Sequence, residues 1–346
     1  QAGLIRSALV VSGEYISHLT ETAQQEIDGP MDPRLACLTL GDAGAAVVLE
    51  RGPGDRVGFH DIDMATLSRY AKLCIAKATD GPHGGAIMYT DSVTQTAVAV
   101  KHSVPYVADV MRRHGWRPET CDHLLMHQTS ESSINDAVGA VNRLFGPGAA
   151  NRVNTIYNLA ERGNTATTTH FVALADNIRS GRINSGDNVV FSVTGSGQTV
   201  GTALYTFDDL PDRLRRADEP QAGPRNRVMR AGGDRAELPA TPRIRIDSVG
   251  LAPDCGAAEK SSIRFAVQAA TACLDGSDVD PAEIGLLLHA GIYRDDFLSE
   301  PAVAALVAGE LGINGDVASP DAAKTLAFDV LNGAVGFLNA CHVAAG

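Results

Sequence analysis

An α/β fold built from two similar halves is the architecture this sequence predicts, and three observations carry the expectation. Short apolar runs alternate with segments of helical periodicity, the pattern of βαβ units around a largely parallel sheet. The alternation occurs in two cycles, which points to an internally duplicated fold with buried sheets. The composition also fits, since 346 residues at 44% hydrophobic and 20% charged are enough for one large domain or two halves sharing a core.

Taken in chain order, strands are expected at Ser7 to Ser12 and Ala45 to Glu50. A helix over 98–114, a strand over 123–127, helices over 131–145 and 165–180, and strands over 188–193 and 200–206 complete one cycle. Asp208 to Ala240 is rich in Arg, Asp, Pro and Gly without apolar periodicity, the composition of a tail or linker. The other cycle runs strand Arg243 to Leu251, helix Lys260 to Leu274, strand Ile284 to His289, helix Pro301 to Leu311, strand Thr325 to Val330 and a helix from Gly333. The expected divisions are therefore 1–50, 51–206, a linker at 207–241, and 242–346.

Composition narrows the function. A formal net charge of −12 argues against nucleic acid, whose binders concentrate Lys and Arg. Arg112, Arg113 and Arg117 form a small basic patch, read first as a solvated helix end and second as a docking point for an acidic carrier. The longest apolar runs fall far short of the roughly 20 residues that span a bilayer, so no membrane role is expected. The six cysteines, Cys37, Cys74, Cys121, Cys255, Cys273 and Cys341, show no metal-ligand spacing and read as reduced, cytoplasmic thiols. Small-molecule chemistry without a metal or cofactor is the expectation.

Four segments carry that chemistry. Leu40-Gly41-Asp42-Ala43-Gly44 is a small-residue turn before a strand. In Leu124-Leu125-Met126-His127-Gln128 an apolar strand ends in His-Gln with a helix following. Gly163-Asn164-Thr165 opens a helix that stops at Ser180-Gly181-Arg182 and Gly186-Asp187, and the glycine-rich Thr194-Gly195-Ser196-Gly197 precedes a further strand. Phe328-Asp329-Val330-Leu331-Asn332-Gly333-Ala334-Val335-Gly336-Phe337 ends a strand and starts a helix. Each motif alone is more often structural than catalytic.

Their ordered combination resembles the ketoacyl synthase III type of the thiolase superfamily. The resemblance implies a thiolase-like fold of two duplicated βαβαβ-type halves in a layered α-β-α-β-α arrangement. It also implies a decarboxylative Claisen condensation of acyl thioesters, carried by CoA or acyl carrier protein, in a cytoplasmic homodimer. The edge to be closed by dimerisation is expected at Ser7 to Ser12. By the same resemblance His127 and Asn164 are catalytic, Gly195, Ser196 and Gly197 help form an oxyanion site, and Ala334 occupies the position of the nucleophilic cysteine. A thiolate there would be stabilised at a helix start; alanine cannot be acylated, and it reads as an engineered inactivation. Cys341, two helical turns on, is about 10 Å away at 1.5 Å per residue and does not replace it. An ester- or amide-forming acyltransferase and a non-catalytic partner subunit are the alternatives.

Four departures from the family pattern accompany the match. No basic residue follows His-Gln, where Thr129 to Ser133 is polar and acidic, and the Arg-rich stretch that contacts CoA in typical members is missing. Ile292 to Ala302 is more charged than an acyl pocket needs, which suits a polar substrate, a dimer interface or a solvated loop. The halves also stand in swapped chain order: Gly336 to Gly346 reads as the front of the nucleophile helix and Gln1 to Ile5 as its end. Gln1 and Gly346 are then expected to be neighbours, about two residues or 11 Å apart at most.

Overall fold

The computed structural model describes residues 5–52, 54–218, 243–252, 260–295, 298–313 and 324–345. Its strands are β1 (Ser7–Glu14), β2 (Ala43–Arg51), β3 (Gly58–Thr66), β4 (Cys74–Ala78), β5 (Ala86–Thr90), β6 (His123–Met126), β7 (Asn188–Gly195), β8 (Thr199–Thr206), β9 (Ile244–Leu251), β10 (Ile284–His289) and β11 (Leu326–Asp329). Its α-helices are α1 (Ser17–Glu26), α2 (Ser92–Arg113), α3 (Glu131–Phe145), α4 (Leu159–Arg162), α5 (Thr169–Arg179), α6 (Leu210–Asp218), α7 (Ser262–Asp275), α8 (Val303–Glu310) and α9 (Gly336–Ala345).

The helix starts follow from local chemistry. Asp91, Ser130 and Ser261 each accept a backbone N–H of the first turn, from Thr94, Ser133 and Arg264, as N-caps should. Gly146 ends α3 at φ +104°, a conformation a side chain would resist.

Two sheets organise the chain, in the strand orders β11-β10-β1-β2-β9 and β3-β8-β7-β6. In the first, β11, β10 and β1 run parallel, while β2 is antiparallel to both β1 and β9. In the second, β6 and β7 run parallel and β8 is antiparallel to both β7 and β3. A parallel bridge from Thr155 to Leu124 extends the outer side of β6. The sheets are therefore mixed, not largely parallel as expected, because alternating apolar and helical segments do not reveal that β2 and β8 return on themselves.

The two sheets share one order and one set of directions. The matching strands are β9 with β3, β10 with β6, β11 with the Thr155 segment, β1 with β7, and β2 with β8. These matches follow the same chain order only when the segment from Ile244 is placed ahead of Ser7. Between the sheets lie α5 and α9, buried on most sides, with the Phe171 and Phe337 rings 4.2 Å apart. Helix α7 packs on β1, β2 and β9 and α8 on β10 and β11, while α2 covers β7 and β8 from the far side and packs against α3. This is the expected five-layer arrangement.

Three expectations need correction. Ser7 to Ser12 is not an edge, because β1 is paired on both sides, with β10 and β2; the open edge on that flank is β11. The stretch expected to be linker opens with α6, whose Leu210 and Leu214 are buried in the main core; two apolar residues four apart among charged ones were too few to show a period. The Arg112 and Arg113 patch is neutralised, with Arg112 paired to Asp109 at 2.7 Å and Arg113 to Asp63. Gln1, Gly346 and Cys255 lie outside the described residues, so the expected proximity of the ends does too.

Candidate active site

His127 follows β6 directly, and its N–H donates to Ser192 O on the neighbouring β7 at 3.0 Å. Gln128 fastens this turn: its amide donates to Met126 O at 2.9 Å and Ile156 O at 3.1 Å and accepts from Asn158 N at 3.2 Å. The glutamine of the His-Gln pair is thus a strut that aims the histidine. The His127 ring is buried, its Nδ1 has no partner among the described residues, and it stacks on His170 with centroids 5.5 Å apart and planes 16° from parallel. Burial lowers the His127 pKa to about 4. For His170, burial and then the charge of His127 lower it to about 3. Both rings are neutral at neutral pH. Sequence reasoning missed His170, whose only signal was an imidazole one turn into the helix that follows Asn164.

Asn164 sits where the two halves meet. Its N–H donates to Thr39 O at 2.8 Å and its carbonyl accepts from Gly41 N at 3.0 Å, so the small-residue turn before β2 grips the Asn164 turn. A Cβ on Gly41 would overlap Arg162 O, which gives that glycine its reason. Gly41→Ala is therefore expected to destabilise the protein by about 1–3 kcal/mol, the usual cost of overpacking, read by denaturant unfolding. The Asn164 Oδ1 accepts from Ala166 N at 3.1 Å, and among the described residues Nδ2 takes no partner, leaving the donor end of the amide available. Ala166 is held at φ +48°, a strained conformation for a residue with a side chain.

Ala334 lies two residues before α9, in a tight turn closed by Val335 N to Asn332 O at 3.2 Å and Gly336 N to Gly333 O at 2.9 Å. It is 8% exposed. The Gly195 turn packs against it: a Cβ on Gly195 would stand 3.1 Å from Ala334 N, and one on Gly333 3.3 Å from Ser196 O. Thr167 reaches the start of α9, with its methyl 3.6 Å from where a Gly336 Cβ would be. The structure thus brings the Ala334 turn, Gly195, Ser196 and the Asn164–Thr167 turn together, with His127 joined to them through His170 on α5. Gly197, at φ +89°, shapes the turn without touching Ala334 in the same way. Cys341 is fully buried and its thiol pKa is raised by burial, in line with its exclusion as nucleophile.

Two further groups enter. Gln198, next in the Gly195 turn, is 1% exposed with neither end of its amide partnered among the described residues. Glu14, at the end of β1, is fully buried; its Oε1 accepts from Thr167 Oγ1 and Ile292 N, and Oε2 is unpartnered among the described residues. Burial outweighs those hydrogen bonds and raises its pKa from 4.5 to about 7. A carboxyl raised in this way favours folding below pH 4.5 and loses that contribution as pH rises through 7. Glu14→Gln should therefore flatten the fall in stability between those pH values and stabilise the protein at pH 8 by roughly 3 kcal/mol, as denaturant melts across pH would report.

In the loop after β10, Arg294 and Asp295 are internally engaged. Arg294 pairs with Asp329, and Asp295 accepts from Ser261 Oγ at 2.7 Å and Ser262 N at 2.9 Å at the start of α7. Among the described residues no group of His, Cys, Asp or Glu is placed to hold a metal, and no helix is long and apolar enough to cross a membrane.

The comparisons with known proteins bear on the fold and the family likeness. The family described as 3-oxoacyl-(acyl-carrier-protein, ACP) synthase III C terminal matches residues 111–207, the span holding His127, Asn164 and the Gly195 turn. A beta-ketoacyl-(acyl-carrier-protein) synthase III of Synechococcus sp. is 32% identical over 60% of this chain and 59% of its own length. One from Streptomyces coelicolor is 27% identical over 60% and 61%. The crystal structure of 3-oxoacyl-(acyl carrier protein) synthase III, FabH, from Pseudomonas aeruginosa PAO1 superposes with TM-score 0.50 at 25% identity, covering 60% of each chain. The chain spans about three fifths of the length of these relatives. Its fold and these likenesses make the chain similar to the ketoacyl synthase III type of the thiolase superfamily.

Proposed function

We propose that this site binds an acyl thioester, carried by CoA or acyl carrier protein, and turns a malonyl thioester into the carbon nucleophile of a decarboxylative condensation. The observation that supports the reading is that the His127 ring stacks on His170 of α5, the helix that follows the Asn164–Thr167 turn, and that Thr167 reaches the start of α9 just after Ala334. Loss of CO₂ from a malonyl thioester leaves an enolate whose oxygen needs two donors, supplied by His127 Nε2–H and Asn164 Nδ2–H. A histidine whose pKa lies near 4 keeps to its neutral form at working pH and donates without competing for the proton.

With cysteine at position 334, the thiolate would attack the acyl thioester and expel the carrier thiol. The enolate carbon would then attack the acyl-enzyme carbonyl, forming a C–C bond as the C–S bond breaks and the cysteine thiolate leaves. The backbone N–H of residue 334, beside Gly195 and Ser196, would polarise that carbonyl. Alanine removes the acyl-enzyme step and leaves enolate formation in place. The present chain should therefore release CO₂ from malonyl thioester without becoming acylated, measured as CO₂ evolution alongside intact-protein mass; absence of CO₂ release would count against the reading. The alanine is also what a non-catalytic partner subunit would carry.

A homodimer is part of the proposal. Among the described residues strand β11 forms an open edge, and Leu326 at its start and Leu331 two residues past its end are 61% and 59% exposed. Pairing two such edges about a two-fold axis covers them. Leu326→Lys with Leu331→Lys is expected to shift the mass seen by light scattering from dimer to monomer at micromolar concentration. The shared order of the two sheets supports reading the halves as swapped in the chain.

A further inference from the structure

We propose that Glu14 is a positioning residue for Asn164, acting through Thr167 across the boundary between the two halves. The inference rests on the enolate-forming reading of the site and names what holds its amide donor in place.

The connection is continuous in space. Glu14 ends β1, in the first sheet, whereas Asn164 precedes α5, the helix between the two sheets that packs on β2 and β9 of the first and β6 of the second. Glu14 Oε1 accepts from the Thr167 hydroxyl, and that oxygen also lies 2.6 Å from Ser12 Oγ, giving a buried chain Ser12–Thr167–Glu14. Thr167 follows Ala166, the residue held at φ +48°, and the Ala166 N–H in turn fixes the Asn164 side chain through Oδ1. A strained left-handed alanine persists only where its surroundings over-determine it. The hydrogen bond from Thr167 to Glu14 is the side-chain tie on its C-terminal side.

Glu14 also accepts from Ile292 N at 3.0 Å, so one carboxyl holds the Asn164 turn and the loop after β10 together. The two hydrogen bonds it accepts strengthen when it is ionised, which makes the turn's grip depend on proton concentration near neutrality. The Tyr293 phenol faces it from that loop. Of the other ionisable groups on the packed elements, Asp42 pairs with Lys260 at 2.8 Å and Asp295 caps the start of α7, while burial lowers the His289 pKa to about 4 and keeps it neutral.

The test reads the connection without turnover. In the intact protein, the backbone N–H of Ile292 and the side-chain amide of Asn164 are followed by NMR from pH 5 to 9. Both are expected to shift with one midpoint, near the value of about 7 given by burial of Glu14, and both shifts should vanish in Glu14→Gln. Thr167→Val, which keeps the shape and removes the hydroxyl, should leave Ile292 titrating, with its midpoint moved upward because a bond that favours the ionised carboxylate is lost, and abolish the titration of Asn164. An Asn164 signal that stays constant while Ile292 titrates overturns the proposal, as does an Asn164 midpoint that survives either substitution. In the Ala334→Cys background, Glu14→Gln should lower CO₂ release at pH 8 by about tenfold, the scale of a small misplacement of a reacting group, and spare acylation. If the NMR midpoints coincide but no CO₂ is released by any variant, the positioning role stands and the enolate-forming reading falls.

Discussion

Ala334→Cys is expected to convert the protein from one that gains no mass on exposure to an acyl thioester to one that gains a single acyl group, read by intact-protein mass spectrometry. The residue is 8% exposed, near enough to the surface for a substrate to reach and sheltered enough to exclude most water. It lies in the turn leading into α9, where unpaired backbone N–H groups and the helix dipole favour a thiolate. The Gly195 turn packs close to its backbone, where a Cβ added to Gly195 would stand 3.1 Å from Ala334 N, and on the proposed reading the backbone N–H of residue 334 would polarise the acyl oxygen. Cys37, Cys273 and Cys341 are fully buried and do not compete, and Cys74 and Cys121, 8% exposed like Ala334, are controlled for by the unsubstituted protein. An Ala334→Cys protein that folds and resists acylation by every thioester tried would leave the partner-subunit reading as the better one.

The second large effect concerns the donors. In the Ala334→Cys background, Asn164→Ala should lower malonyl-thioester decarboxylation by about 100-fold to 1,000-fold, the usual cost of removing one oxyanion donor, while acylation persists. The two steps separate because acylation uses the thiol and backbone donors, whereas the enolate uses His127 and Asn164. The change is local, since Asn164 is bound to the β2 side by its backbone atoms, to Thr39 O and Gly41 N, and those bonds survive loss of the side chain. His127→Ala should have a comparable effect on decarboxylation and would also open a gap against His170. A variant that loses both steps together would show that the Asn164 turn supports the whole site mechanically.

The parts of the fold legible in the sequence were those whose burial shows in a short window. Ile284–His289 is apolar nearly throughout and Glu131–Phe145 has a clear helical period and a serine cap; both have the bounds expected. What escaped was exposed or sparse. β4 is buried only at Cys74, so its sequence carries no apolar run, and α1 buries just Leu19, Thr22 and Ala23 along ten residues. The direction of β2 and β8 is set by pairing across the sheet, which no local pattern records.

The site was legible in part. His127, Asn164, Gly195 and Ala334 were visible through ordered motifs, because the chemistry repeats residue types in a fixed succession. The residues that aim them were not. Gly41 matters through the approach of Arg162, 121 positions away in the chain, and His170 through a ring stack on His127, 43 positions away. Glu14 reaches Thr167 across 153 positions. Such contacts are products of the duplicated fold, and a sequence read in order gives them no mark.

The central claim, that this site joins carbon to carbon after decarboxylation, is tested most directly by product stoichiometry. The Ala334→Cys protein is given an acyl thioester with a malonyl thioester, and CO₂ and the lengthened 3-oxoacyl product are measured together. One CO₂ per 3-oxoacyl product, both falling together in Asn164→Ala, is the expected result. An ester or amide product formed without CO₂, and unaffected by loss of Asn164, would contradict the account and leave His127 as the general base of an acyltransferase.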